Sequence, residues 1–332
     1  MARTVVWEEA FALGAVAFVI DEAAAENDDG VRRLYLLEPP SSHMLVQTEV
    51  GLRAGGEPAP RELRFAFHRA MLAALVDFGL AAGGPPRAEP ERLLCLGLGG
   101  GALASWLALA LPRAAVHVAE VHAELVPIAS RLFGMPHPRR AAGAGVHVHV
   151  SDAHALLLAS PPALTAAPFD AIFVDVNAPA HDVFLAAPGS AFVSRHCLEA
   201  MRARCCGVVV LNVLVARLAA HSGVVSALVA LLEDVFSAVW AWPPRADAHR
   251  ALGEQPLAAL TGEANCLLFC DCAAAEAGAA GLAGQIVREH AAAALASAPA
   301  EHVSSFMAVR AIAQGARAAA AVASASDADP PR

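Results

Sequence analysis

The chain has 332 residues and a mass of 34.1 kDa, with 57% hydrophobic and 17% charged residues. That excludes wholesale disorder and fits one large domain or a domain with an appendage. Its 23 basic residues, all arginine, face 32 acidic ones for a net charge of −9, and no basic run exceeds pairs such as Arg32-Arg33. A nucleic-acid partner is therefore not expected. No apolar run reaches the ~18 residues a membrane span needs without a proline or charge, so no membrane partner is expected either. Residues 11–20 do not read as a signal peptide, because Glu8-Glu9 and Asp21-Glu22 flank them with the wrong charge. The seven cysteines are odd in number and lie mostly in apolar runs. This is thiol usage of a cytoplasmic protein, not a disulfide framework.

In chain order, residues 1–88 read as an N-terminal β-strand region with a linking helix. Strands are predicted at 15–20, 33–37 and 44–50, a loop at 55–60 and an amphipathic helix over 61–80, closed by the Gly-Pro boundary at 81–86. Residues 89–275 alternate apolar strands (93–97, 115–119, 146–150, 170–175, 207–213) with helices near 101–111, 122–133, 192–204 and 219–234. Two late strands, about 236–242 and 265–271, pair as a hairpin. The expected class is α/β: a Rossmann-like sheet, mostly parallel, with a final antiparallel hairpin strand. Residues 276–322 are alanine-rich and predicted helical, and 323–332 form a disordered tail.

The strongest local signal is the run from Leu93 to Gly101, a buried strand entering a turn with Gly97, Gly99, Gly100 and Gly101. Glycine there lets a ligand approach the backbone, and the next helix offers its free N–H groups. Acidic residues end the three following strands: Glu120, 19 residues past Gly101, then Asp152 and Asp175. In a parallel sheet those strand ends line the ligand crevice. A nicotinamide dinucleotide needs only the first acid, whereas ribose, adenine and reaction-centre contacts at three strand ends suit S-adenosyl-L-methionine. Metal binding is not expected, because Cys266, Cys270 and Cys272 have no metal-ligand spacing. His147 and His149 alternate with valines and are expected to be partly solvated.

These motifs resemble the spermidine synthase-like branch of the class I methyltransferases, over residues 30–272. The resemblance implies that Gln47, Gly97, Gly99, Gly101, Glu120, Asp152 and Ala153 hold the cofactor and that Asp175 is catalytic. It implies contacts from His68 and Asn177 to the acceptor. The polyamine synthases carry a Tyr-His-Glu triplet and a second Asp after the catalytic one. Here the triplet is Phe67-His68-Arg69 and the second Asp is Ala178. A polyamine pocket, which needs several carboxylates against its several positive amines, is thus largely dismantled.

Within the branch, His68-Arg69-Ala70-Met71, the strand Val208 to Leu214 with Asn212, and Leu267-Leu268-Phe269-Cys270 are most similar to a methyltransferase-like group. The C-terminal domain of that group methylates the N-terminal α-amine of translation elongation factor 1-alpha. The expected function is therefore methylation of a protein amine, an N-terminal α-amine or a lysine of a translation factor, by a possible homodimer. The alternatives are a polyamine aminopropyltransferase and a non-catalytic nucleotide-binding scaffold.

Overall fold

A computed structural model describes residues 3–22, 30–37, 45–75, 90–139, 143–159, 161–178, 185–215, 223–242, 266–272 and 291–298. The boundary at 81–86, residues 179–184, the bulk of the C-terminal helical segment and the tail lie outside these residues.

Strands β1 (Arg3–Ala10), β2 (Val16–Glu22), β3 (Val31–Leu37) and β4 (Leu45–Gly51) form an antiparallel sheet in sequence order. β1 escapes sequence reading because it is an edge strand with no residue deeply buried, so neither face imposes an alternating pattern. Helix α1 (Ala66–Met71) follows and tightens into a 3₁₀ turn at Leu72–Leu75. The helix predicted over 61–80 therefore starts five residues late. The carbonyls of Leu63 and Arg64, which a longer helix would use internally, accept hydrogen bonds from the Arg69 guanidinium at 2.7 and 2.6 Å.

The main sheet contains β5 (Arg92–Leu96), β6 (Ala115–Glu120), β7 (Gly145–Val150), β8 (Phe169–Val174), β9 (Leu185–Ala187), β10 (Cys205–Val215), β11 (Ala238–Trp242) and β12 (Cys266–Asp271). Its order is β11-β12-β10-β8-β5-β6-β7, and β9 flanks the end of β10. Strands β7, β6, β5, β8 and β10 are mutually parallel, while β12 runs antiparallel between β10 and β11. Leu93, Leu94 and Leu96 are wholly buried on both faces of β5, each contributing about 1.5–3 kcal/mol.

Helices α2 (Ala102–Ala110), α3 (Leu125–Leu132), α4 (Ala153–Ala159), α5 (Pro162–Thr165), α6 (Arg195–Arg204) and α7 (Gly223–Val235) are joined to the sheet by crossovers. The segment predicted as one helix over 192–204 is a 3₁₀ turn at Ser190–Val193 followed by α6, because Ser194 caps α6 by accepting from the Cys197 N–H. Two apolar cores result, one on each face of the sheet, and the first continues into the N-terminal sheet through Phe11, Val19 and Leu34. The chain leaves β5 toward β6 and β7 and returns through β8 on its other side, so β5 and β8 flank the topological switch point. Among the described residues no helix is long and apolar enough to cross a membrane.

Candidate active site

A cleft opens at the carboxyl ends of the parallel strands, with about 650 Å³ of atom-free space including its mouth. Gln47, Gly97, Gly99, Glu120, Asp152, Ala153, Asp175 and Asn177 all line it. Gly101 and His68 do not. Gly101, with φ 79°, caps α2 facing away from the cleft, and a Cβ there would meet Met135 Sδ at 3.0 Å and Ala129 at 3.3 Å. Protein atoms alone already demand glycine at two positions of the turn. A Cβ on Gly97 would lie 2.1 Å from the Asp175 carbonyl oxygen, and one on Gly100 would lie 2.9 Å from Thr48.

Thr48 is a functional-site residue that the sequence reading missed. It is 2% exposed, its Oγ accepts the Gly100 N–H at 2.7 Å and its hydroxyl donates to the Gln47 carbonyl at 2.7 Å. The glycine turn is therefore fixed from β4. A second tie joins the turn before β2 to the loop after β6. Phe11 packs on His122 with ring centroids 5.1 Å apart, and the Ala12 N–H donates to Glu124 at 2.9 Å. Both ties span more than 50 residues of sequence, which no local pattern signals.

Glu120 ends β6 almost fully buried and accepts backbone N–H bonds from Leu98 at 3.1 Å and His122 at 2.8 Å. Burial raises its pKa above the usual carboxylate range, and those N–H bonds offset only part of the shift. A carboxylate with lone pairs to spare at this strand end fits a pair of ribose hydroxyls. Asp152 is exposed and caps α4, accepting the Ala155 N–H with one oxygen at 2.7 Å. Its other oxygen has no hydrogen-bond partner among the described residues and could accept from a ligand amine. Ala153 beside it is small and buried. These groups fit an S-adenosylmethionine-type nucleoside.

Asp175 lies just past β8, with its side chain 29% exposed to the cleft. His68 of α1 touches it from behind, Nε2 to Oδ2 at 2.8 Å, and Asn212 of β10 donates its amide to Oδ1 at 2.8 Å. His68 is itself buried, against Phe67 at 4.3 Å between ring centroids. Burial alone would push the Asp175 pKa up. The His68 hydrogen bond and charge and the Asn212 amide outweigh burial and hold it below the ordinary carboxylate value. Across the mouth, Asn177 donates its amide to Gln47 Oε1 at 3.0 Å. Sequence reasoning passed over Asn212 as a site residue because it reads as one polar position in an apolar strand.

His147, expected to be partly solvated, is buried: its ring stacks at 5.0 Å on His117, and Nε2 meets the Gly143 carbonyl at 2.6 Å. His117 pairs with His149 at 3.0 Å, on the face of β6 and β7 that also packs on Phe169. Among the described residues no cluster of three metal-ligating side chains occurs.

No protein-family model matches the sequence, and no curated protein does. Among solved structures, a probable spermidine synthase from Corynebacterium glutamicum superposes with a TM-score of 0.56 at 19% identity, over 86% of this chain and 87% of that one. The chain has the spermidine synthase-like class I methyltransferase fold. Human methyltransferase-like protein 13, in complex with SAH, is similar at 24% identity over 66% of this chain and 88% of that chain, with a TM-score of 0.48. Spermidine synthase from Thermotoga maritima is similar at 11% identity over 81% and 72%, with a TM-score of 0.46.

Proposed function

We propose that the chain is an S-adenosylmethionine-dependent methyltransferase acting on a protein amine, an N-terminal α-amine or a lysine of a translation factor. The observation that carries this reading is the composition of the acceptor side of the cleft. Glu120 and Asp152 belong to the nucleoside end, which among the described residues leaves Asp175 as the one carboxylate lining the acceptor end, flanked by the neutral amides of Gln47 and Asn177. A single carboxylate suits one amine, whereas a polyamine needs several.

The bound cofactor supplies a sulfonium methyl for direct displacement. The residues of the chain hold the amine in line with it and limit water. Asp175, kept ionised by His68 and Asn212, accepts hydrogen bonds from the incoming amine and turns its lone pair toward the methyl. A carboxylate held below its usual pKa is a poor proton acceptor, so orientation and charge stabilisation are its main contributions. An α-amine, with a reference pKa of about 7.7–8.0, arrives partly neutral at physiological pH and needs less help than lysine at about 10.4.

The test is transfer of labelled methyl from S-adenosylmethionine into a lysate, with mass spectrometry of the labelled band. A labelled protein amine is expected. Spermidine formed from putrescine and decarboxylated S-adenosylmethionine at enzymatic turnover, with no labelled protein, would replace this reading by the aminopropyl one.

A further inference from the structure

Arg69 follows His68 in α1, a helix of six residues that is too short to hold itself. Its guanidinium donates to four carbonyls in two distant segments. Leu63 and Arg64 accept at 2.7 and 2.6 Å on one side, and Ala296 and Leu295 accept at 2.8 and 3.3 Å on the other. Residues 291–297 are helical, so the guanidinium closes last-turn carbonyls at the negative end of that helix. No carboxylate bonds to Arg69 among the described residues, and the like charge of Arg64 acts on it. Ala291, Ala292 and Leu295 are wholly buried in the same core as Ala70, Met71 and Leu72. The far end of the chain is thus packed and hydrogen-bonded onto the helix that presents His68 to Asp175.

We infer that Arg69 and the helix at 291–297 form a strut that positions His68 on Asp175, making Arg69 a positioning residue for the site. The inference goes beyond the methyl-transfer reading and does not depend on which acceptor is used. Asp175 faces His68 from α1, the Asn212 amide from β10 and the Cys95 thiol from β5. Of these, only His68 is held by α1, so loosening α1 removes the contact that favours the ionised carboxylate while burial remains.

The readout is the titration of the Asp175 side-chain carboxyl by ¹³C NMR, its resonance assigned through Asp175→Asn. It is measured in the full chain, in Arg69→Gln and Arg69→Lys, and in a chain ended after His290. Arg69→Gln and the shortened chain should move the titration upward by about one pH unit, the effect of one lost charge-assisted hydrogen bond. Arg69→Lys, which can reach only part of the carbonyl set, should fall between. Calorimetric affinity for S-adenosylhomocysteine should stay at the wild-type value, because Glu120 and Asp152 are untouched. A lowered Tm with the Asp175 titration unmoved would overturn the strut and leave Arg69 a purely structural residue. Should the shortened chain fail to fold, the two Arg69 variants decide the matter. Absence of S-adenosylhomocysteine binding in the wild type would instead defeat the methyltransferase reading, and the titration would still report on the strut.

Discussion

A methyl group at Gly97 would sit 2.1 Å from a backbone carbonyl that has no room to retreat, in a backbone with φ of +98°. Gly55 shares the left-handed backbone, φ +93°, but has nothing within 4 Å. Gly55→Ala should therefore cost only the conformational term of about 1–2 kcal/mol. Gly97→Ala should cost that plus displacement of the end of β8, at least about 3 kcal/mol in urea unfolding, and should abolish S-adenosylhomocysteine binding. Equal costs for the two would show that strain, not the close approach, governs the loop. Glu120 gives a pH signature. Its raised pKa means protonation sets in at higher pH than for an ordinary carboxylate, so affinity for S-adenosylhomocysteine should weaken as pH is lowered. Its own contribution to the stability of the free protein has the opposite sign, because a folded acid with raised pKa binds the proton more tightly and gains stability as pH falls. Glu120→Gln should bind about 10–100-fold more weakly and without that pH slope, as read by calorimetry. Asp175→Asn should cut kcat by about 100-fold or more while leaving cofactor affinity nearly unchanged. Undiminished turnover would remove Asp175 from the reaction. At this scale the sequence was informative where residue type and strand end coincide, as at Glu120, Asp152 and Asp175. It was silent on the bonds of Thr48, Asn212 and Arg69, each of which has a partner far along the chain, 52, 37 and 226–227 residues away.

Elements were legible in proportion to how completely they are buried. The five parallel strands each carry an apolar or apolar-alternating run, and all are found within a few residues of their expected places. β1, exposed on both faces, and β9, three residues long, carry no such run. The role of β4 is an element-level fact: it both lines the cleft through Gln47 and pins the glycine turn through Thr48. Thr48→Val keeps the shape and strands the buried Gly100 N–H. It should lower stability by about 1–3 kcal/mol and weaken S-adenosylhomocysteine binding, although Thr48 does not line the cleft. Wild-type affinity in that variant would mean the turn holds its shape without β4.

At the scale of the whole molecule, the first apolar core runs without interruption from the antiparallel sheet into the parallel one. Arg32 adds a bond from β3 to the Leu132 carbonyl of α3 at 2.9 Å. Thermal unfolding should accordingly be one calorimetric transition. S-adenosylhomocysteine at a hundredfold excess over its Kd should add about 2.7 kcal/mol to that transition as a whole. Two peaks, only one of them moved by ligand, would mean the sheets melt separately.

The placement of β12 bears on how the protein is made. Strands β10 and β11 leave the ribosome before β12, yet β11 has no neighbour and β10 only β8 and β9 until Cys266–Asp271 has emerged and inserted between them. Through that interval β10 presents an open edge whose Val208, Val209, Val210 and Leu211 are all destined for complete or near-complete burial. A nascent chain in this state is the species most exposed to aggregation and to capture by chaperones. Mutations that slow the arrival of β12 would therefore reduce the yield of protein without altering the finished fold.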